Sequence, residues 1–451
     1  MTGARRDGMY LLSLGALVFL LFALAKASVS PGPMLDFRLA YNSSRCLLEG
    51  CDPYSQNDVR RLFRAGGASY PPDDDRQIMV ATRNVYPPSE FAVTLPFALL
   101  PLGLAQVLWI GAIAACFLLA SVQMWVLASR YAPTLGGALL GMALMLSFPL
   151  LFYNSPGCLD VGLVGVAAGC FLLERWEGAG VFCMVLALAL KPHDSGLVWH
   201  FFLLAGGRLR RRAWQSLALT VALSLPVLLW TWHVSPHWFL EMRENLRAFT
   251  IHGGIDDPGP AAAVEHGTCA ITSLQAMLSN FWDEPRFYDL ASVALVTPLL
   301  LLWGVATLRA KPERTTAWLG LAAVASLTLL PVYHRMYDAK LLILIVPGCA
   351  LLWAEGGRRR WMALVLGALA LAVTGELFWS VVLLGVQHRH LSAQALHGRA
   401  VAALFSVPVP LTLLLLSCFY LWVYLQRCRP AAKDCASNGS DDGVRLAEST
   451  A

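Results

Sequence analysis

Long apolar runs recur along the chain, separated by polar stretches that are mostly short. They cover 9–25, 103–128, 135–153, 159–173, 213–232, 287–308, 316–333, 341–354, 361–384 and 401–426. Runs of roughly this length cross a bilayer as helices, because a helix satisfies its own backbone hydrogen bonds in lipid. A further apolar stretch, 179–205, is interrupted by Lys191-Pro192-His193-Asp194. A proline and two charges there predict two short membrane segments that meet at an interface. The pattern therefore predicts an all-α polytopic membrane domain over 1–429 with about twelve segments. The polar end, 430–451, reads as a disordered tail.

Composition strengthens this reading. Of 451 residues, 57% are hydrophobic and only 14% charged, against about 25% charged in an ordinary soluble protein. So few charges cannot solvate a soluble surface of this size, which excludes a disordered chain, a nucleic-acid-binding module and most soluble enzymes. The principal solvent is the lipid bilayer, and the net charge of +5 is no argument for a nucleic-acid partner. The eleven Cys are scattered through apolar runs and read mainly as small core residues.

The positions of Lys and Arg set the orientation. With Arg5 and Arg6 in the cytoplasm, the inner loops hold Arg130, Arg175, Arg208 to Arg212, Arg309 to Arg314 and Arg358 to Arg360, and the tail holds Arg427. Both termini are then cytoplasmic. The opposite face takes two long loops, 28–88 and 233–286, and most of the acids. A competing reading makes the first run a cleavable signal peptide, with Ala25-Lys26-Ala27 as its small-residue site. The rest of the topology is the same in either case.

The external face collects the candidate chemistry. Asp36 and Arg38 lie just past the first run. An acid held there among apolar neighbours acquires a raised pKa and can act as a general base near neutrality; the plainer alternative pairs Asp36 with Arg38 or makes it a helix cap. Gly50-Cys51-Asp52-Pro53-Tyr54 is a turn, and Tyr86-Pro87-Pro88 leads back to the membrane. Asn154 to Asp160, Lys191 to Asp194 and Tyr333 to Lys340 are further polar junctions on the same side. Lys191, His334, Arg335 and Lys340 could form a cationic phosphate site, or merely snorkel from helix ends. Glu376 is an acid deep within a predicted span. His233, His237, His252 and His266 are spaced too irregularly for a compact metal motif, and the loop that carries them, with Trp238, Phe239 and Phe249, reads as a cover for the site. Cys46 and Cys51 could pair in an oxidising compartment.

Asp36-Phe37-Arg38, Gly50-Cys51-Asp52-Pro53-Tyr54, Tyr86-Pro87-Pro88 before Leu99-Leu100-Pro101, Leu190-Lys191-Pro192 and Tyr333-His334-Arg335-Met336-Tyr337-Asp338 occur in that order. In this the chain resembles the bacterial membrane glycosyltransferases of family 87, from about 30 to 350. The resemblance implies a GT-C fold in the bacterial inner membrane, a site on the extracytoplasmic face, and a catalytic acid in the first external loop. It implies a polyprenyl-phosphate sugar as donor, a lipid or glycan acceptor, and no cofactor or metal. Asp36 would be the base of a single inverting displacement, with Lys191 and Arg335 or His334 on the donor phosphate. Arg38, Tyr54, Tyr86, Tyr337 and Asp338 would line the substrate site. Where many members carry a Gly-Gln-type turn, this chain has Ser155-Pro156-Gly157-Cys158-Leu159-Asp160, so Asp160 takes the place of that donor contact.

Two other classes compete. A transporter or lipid flippase places broken helices near the midplane, often in two repeated halves. The break at 191–194 has no second copy, and the polar groups gather on one face, which favours the enzyme. A non-catalytic assembly partner would leave Asp36 and Arg38 incidental.

Overall fold

The computed structural model describes residues 2–28, 34–66, 75–147, 150, 151, 154–259, 271–310, 313–375, 379, 403, 404 and 406–428. The predicted Glu376, His266 and tail 430–451 lie outside them. The described residues are helical, with no strand beyond one isolated bridge between Ile271 and Arg335.

Six described helices are long and apolar enough to cross a membrane: Gly3–Ser28, Leu102–Ala128, Pro156–Leu173, Gly207–Val234, Pro285–Ala310 and Pro408–Cys428. The chain is thus a multi-pass membrane protein, with six full-length helices among the described residues; parts of two of the about twelve expected segments, 361–384 and 401–426, lie outside those residues. The other apolar stretches are divided into shorter pieces for local reasons. Pro192 separates Glu177–Leu190 from Pro192–Ala205, so the predicted break is present. The run at 341–354 begins as a 3-10 helix, Asp338–Ile345, and becomes α-helical only at Val346–Glu355.

Pro156–Leu173 is the central helix. Of its most apolar stretch, 94% is buried inside the protein, and a helix enclosed on all sides must be apolar on all sides. Leu102–Ala128 and Glu177–Leu190 pack directly against it. Leu14, Leu17 and Leu24 of the first helix, Leu219 and Leu229 of Gly207–Val234, and Leu301 of Pro285–Ala310 point outward, as side chains facing lipid do.

Helix Gly3–Ser28 docks on Pro133–Met145 through glycines. A Cβ on Gly137 would stand 2.0 Å from the Gly8 carbonyl oxygen, and one on Gly141 2.5 Å from that of Leu11. Gly137 and Gly141 form a G-x-x-x-G pair that lets two backbones touch, a signal in the sequence that the hydropathy pattern overlooks. The first helix is therefore packed into the protein, in the manner of an integral span.

The first long loop, 28–88, contains helices Leu35–Leu48, Gln56–Ala65 and Asp75–Thr82. A disulfide joins Cys46 to Cys51 across 4.9 Å between Cα atoms, closing the turn at Gly50, whose φ of +74° suits glycine. A small second core of Leu47, Tyr54 and Phe91 receives Val234, Trp238 and Met242, so the two long loops are packed together.

Gly141→Leu should force Gly3–Ser28 and Pro133–Met145 apart, costing the upper part of the about 1–3 kcal/mol typical of overpacking. Thermal unfolding in detergent should show a lower Tm, whereas Gly111→Ala, which meets nothing within 4 Å, should leave it unchanged.

Candidate functional site

Where the helices of the first long loop meet the break at Lys191, the protein holds a cavity of about 660 Å³. Its polar wall consists of Asp36, Tyr86, Lys191, His193, Asp256, Tyr333, Arg335 and Tyr337, and Leu35, Leu39, Val85, Leu190, Leu246 and Phe249 are among its apolar residues.

Asp36 stands in the first turn of Leu35–Leu48, where a helix N-terminus favours an anion. The carboxyl lies deep within the protein yet keeps a partly exposed edge, because it faces the cavity. It forms no ion pair among the described residues. Burial pushes its pKa up to about 6 against the pull of Arg335; Asp256 raises it further, while Lys191 and the Ser155 hydroxyl lower it. Ser155 also caps the central helix at Gly157 N, and lies 3.1 Å from the Tyr86 hydroxyl.

Lys191 owes its place to Pro192. A residue before proline is driven out of the helical region, and Lys191 has φ −146° and ψ 77°. It ends one helix and caps the next, with Pro192 in the first position of the second helix, where a missing N–H costs nothing. Its ammonium is buried, 2.7 Å from Asp338 Oδ1 and 2.9 Å from Asp194 Oδ2, and 5.3 Å from the centre of the Tyr337 ring. The central helix comes so close that a Cβ on Gly157 would lie 2.8 Å from Asp338 Oδ1 and 3.1 Å from Lys191 Nζ.

Arg335 is fixed from the other long loop. Its guanidinium donates to Asp256 Oδ1 and to the Tyr333 hydroxyl, and that hydroxyl donates to the same Asp256 oxygen at 2.7 Å. Its backbone N–H donates to Asp338 Oδ2 at 2.8 Å. Asp338 thus holds Lys191 with one oxygen and the Arg335 backbone with the other, which sets the two cations on one wall.

Asp36, Tyr86, Lys191, Arg335 and Tyr337, all expected from the sequence, meet at this cavity. Five other expected residues stand behind its wall. Arg38 is buried, with its guanidinium 5.8 Å from the Phe63 ring centre; two positions on from Asp36, it occupies another face of the helix. Tyr54 is buried against Phe91 and Trp238 and donates to the Tyr86 carbonyl at 2.8 Å, so it supports Tyr86. His334 is fully buried, with Nε2 3.0 Å from Asp194 Oδ1. Asp160 lies inside the central helix, its carboxylate oxygens buried without a hydrogen bond. Asp338 braces the cations from behind. Lys340, also considered for the cationic site, donates instead to the buried Thr374 carbonyl.

Asp256, Tyr333 and His193 were not singled out by sequence reasoning. Asp256 sits in a loop rich in polar residues, where an acid is unremarkable by composition, and only the fold brings it to Arg335. Phe249 of this loop lines the cavity, while Trp238 packs on Tyr54.

Residues 84–332 match the model of glycosyltransferase family 87. No curated protein and no solved structure matches the chain. The matched segment contains Tyr86, Lys191, His193 and Asp256, and it stops just short of Tyr333 and Arg335. Asp36 lies before it.

An infrared pH titration should show a carboxyl band, absent from Asp36→Asn, that loses its proton near pH 6. A band titrating near 4 would show that burial does not govern this acid.

Proposed function

Because the chain belongs to glycosyltransferase family 87 and is therefore a membrane glycosyltransferase, we propose that it moves a hexosyl or pentosyl unit from a polyprenyl-phosphate sugar to a lipid or glycan hydroxyl, with inversion, at the extracytoplasmic face. One observation carries the reading: Asp36, an acid with no ion pair among the described residues, shares a partly apolar cavity with Lys191 and Arg335.

The chemistry follows from that arrangement. The Asp36 carboxylate takes the proton of the acceptor hydroxyl as its oxygen attacks the anomeric carbon. The bond from that carbon to the phosphate oxygen breaks, and negative charge collects on the departing lipid phosphate. Lys191 and Arg335 strengthen their hold on that phosphate as the charge grows, so they lower the barrier rather than merely tightening donor binding. Their counter-ions, Asp338, Asp194 and Asp256, hold them in place before substrate arrives, which reduces reorganisation during the reaction. Tyr86 and Tyr337 offer rings and hydroxyls to the sugar. Leu246, Phe249 and Val85 supply apolar wall for the first units of the lipid.

The orientation rests on two supports. The basic loops place the termini in the cytoplasm, and the Cys46–Cys51 disulfide suits an oxidising compartment outside it. In a bacterium, that assignment means the inner membrane.

Asp36→Asn should lower kcat by about a hundredfold or more, the range for loss of a general base, with Tm unchanged. Because the base must be ionised, wild-type kcat/KM should be flat above about pH 6 and fall tenfold per unit below it. Lys191→Ala should weaken the donor in both KM and kcat. Assays with synthetic polyprenyl-phosphate sugars decide this; full activity in Asp36→Asn removes the proposed base.

A further inference from the structure

Next to the cation wall is a cluster that the transfer chemistry does not use. We propose that His193, Asp194 and His334 bind one divalent transition-metal ion of the zinc class, at the edge of the cavity. His193 lines the cavity and is 46% exposed, whereas Asp194 and His334 are buried. One ligand atom from each lies within 4.8 Å of the other two.

Three features point to an ion. The first is spacing. His334 Nε2 is 3.0 Å and His193 Nε2 3.5 Å from Asp194 Oδ1, yet neither pair is aligned as a hydrogen bond, and the buried Nε2 of His334 has no hydrogen-bond partner. Two ligands bound to one ion at about 2.1 Å, with an angle of about 90–110° between them, are about 3.0–3.5 Å apart.

The second is the other ring nitrogen of His334, which lies 2.9 Å from the Val332 carbonyl oxygen. A carbonyl only accepts, so that nitrogen carries the proton. In the neutral ring, the lone pair on Nε2 then faces a carboxylate, an arrangement that a cation between them relieves. Donating the remote N–H to a backbone carbonyl is how metal-binding histidines are usually oriented.

The third is charge. Lys191 stands on Oδ2 of the buried Asp194 carboxylate and is shared with Asp338, while Asp194 Oδ1 has no hydrogen-bond partner among the described residues. A divalent ion on Oδ1, with Lys191 on Oδ2, compensates the charge on both oxygens of this buried carboxylate. Two imidazoles and one carboxylate favour zinc-class ions over magnesium or calcium, which prefer all-oxygen sites. An ion here would add positive charge beside Lys191, where the donor phosphate departs. That consequence rests on the proposed transfer, but ion binding itself does not.

The test uses the full chain, purified, stripped with chelator and reconstituted in nanodiscs, then titrated with Co²⁺ and Zn²⁺ and followed by visible absorption and elemental analysis. No sugar substrate is needed, so failure of the transfer reading leaves the result interpretable. Expected is about one ion per chain with a cobalt d–d band, and at least tenfold weaker binding in His193→Gln and in His334→Gln. Because His334 is buried, its variant can lose the fold; the half-exposed His193→Gln then decides. No cobalt band in wild type, or unchanged affinity in folded His193→Gln, overturns the proposal and leaves His334 and Asp194 as an imidazolium–carboxylate pair.

Discussion

Lys191 stands at a point where two helices cannot join, and its ammonium is held 2.7 Å from Asp338 and 2.9 Å from Asp194. Taking such a charge out of water costs several kcal/mol, so the pairing constrains everything around it. Asp338 must approach from the start of its 3-10 helix, Asp194 must point back from the turn after Pro192, and the central helix must present glycine at position 157. The same Asp338 fixes the Arg335 backbone, and Arg335 in turn is fastened to Asp256. Parts of the chain about 150 residues apart in sequence are thereby locked into one wall. A buried ion pair of this kind adds little to net stability compared with an apolar packing; what it provides here is a unique arrangement of charge.

Asp36 faces that wall from the first turn of Leu35–Leu48. Its neighbours act in opposite directions: burial and Asp256 favour its neutral form, while Arg335, Lys191 and Ser155 favour the carboxylate. The outcome, near 6, leaves the group mostly ionised at neutral pH but more basic than an ordinary aspartate. That is the state a general base for a sugar or lipid hydroxyl requires. The loop that carries Asp36 is closed by the Cys46–Cys51 disulfide and packed, through Tyr54, onto the second long loop. Asp36 and Asp256, the counter-ion of Arg335, thus belong to two loops that pack on one small core.

Much of this was readable from the chain because ionisable residues at the ends of apolar runs are expensive and therefore conspicuous. Asp36, Lys191 and Arg335 stood out on that ground, and Tyr86 and Tyr337 through the motifs around them. Asp256 did not, since a loop full of polar residues gives no such contrast. Arg38, Tyr54 and His334 were assigned to the site through the motifs that contain them, whereas helix phase and local packing turn them behind it. Helix lengths were less legible for a related reason: hydropathy counts apolar residues but does not register where Pro192 or a 3-10 turn shortens a helix. The Gly137–Gly141 contact was invisible to the same measure, because glycine contributes closeness rather than hydrophobicity.

The central claim is that a lipid-linked phosphate sits against Lys191 and Arg335 with its sugar toward Asp36. Cryo-electron microscopy of the Asp36→Asn protein in nanodiscs, with a polyprenyl-phosphate sugar bound, tests it most directly. The account predicts phosphate density within hydrogen-bonding distance of Lys191 Nζ or the Arg335 guanidinium, and the anomeric carbon facing residue 36. Donor density elsewhere, with this cavity empty or filled by lipid alone, would contradict it.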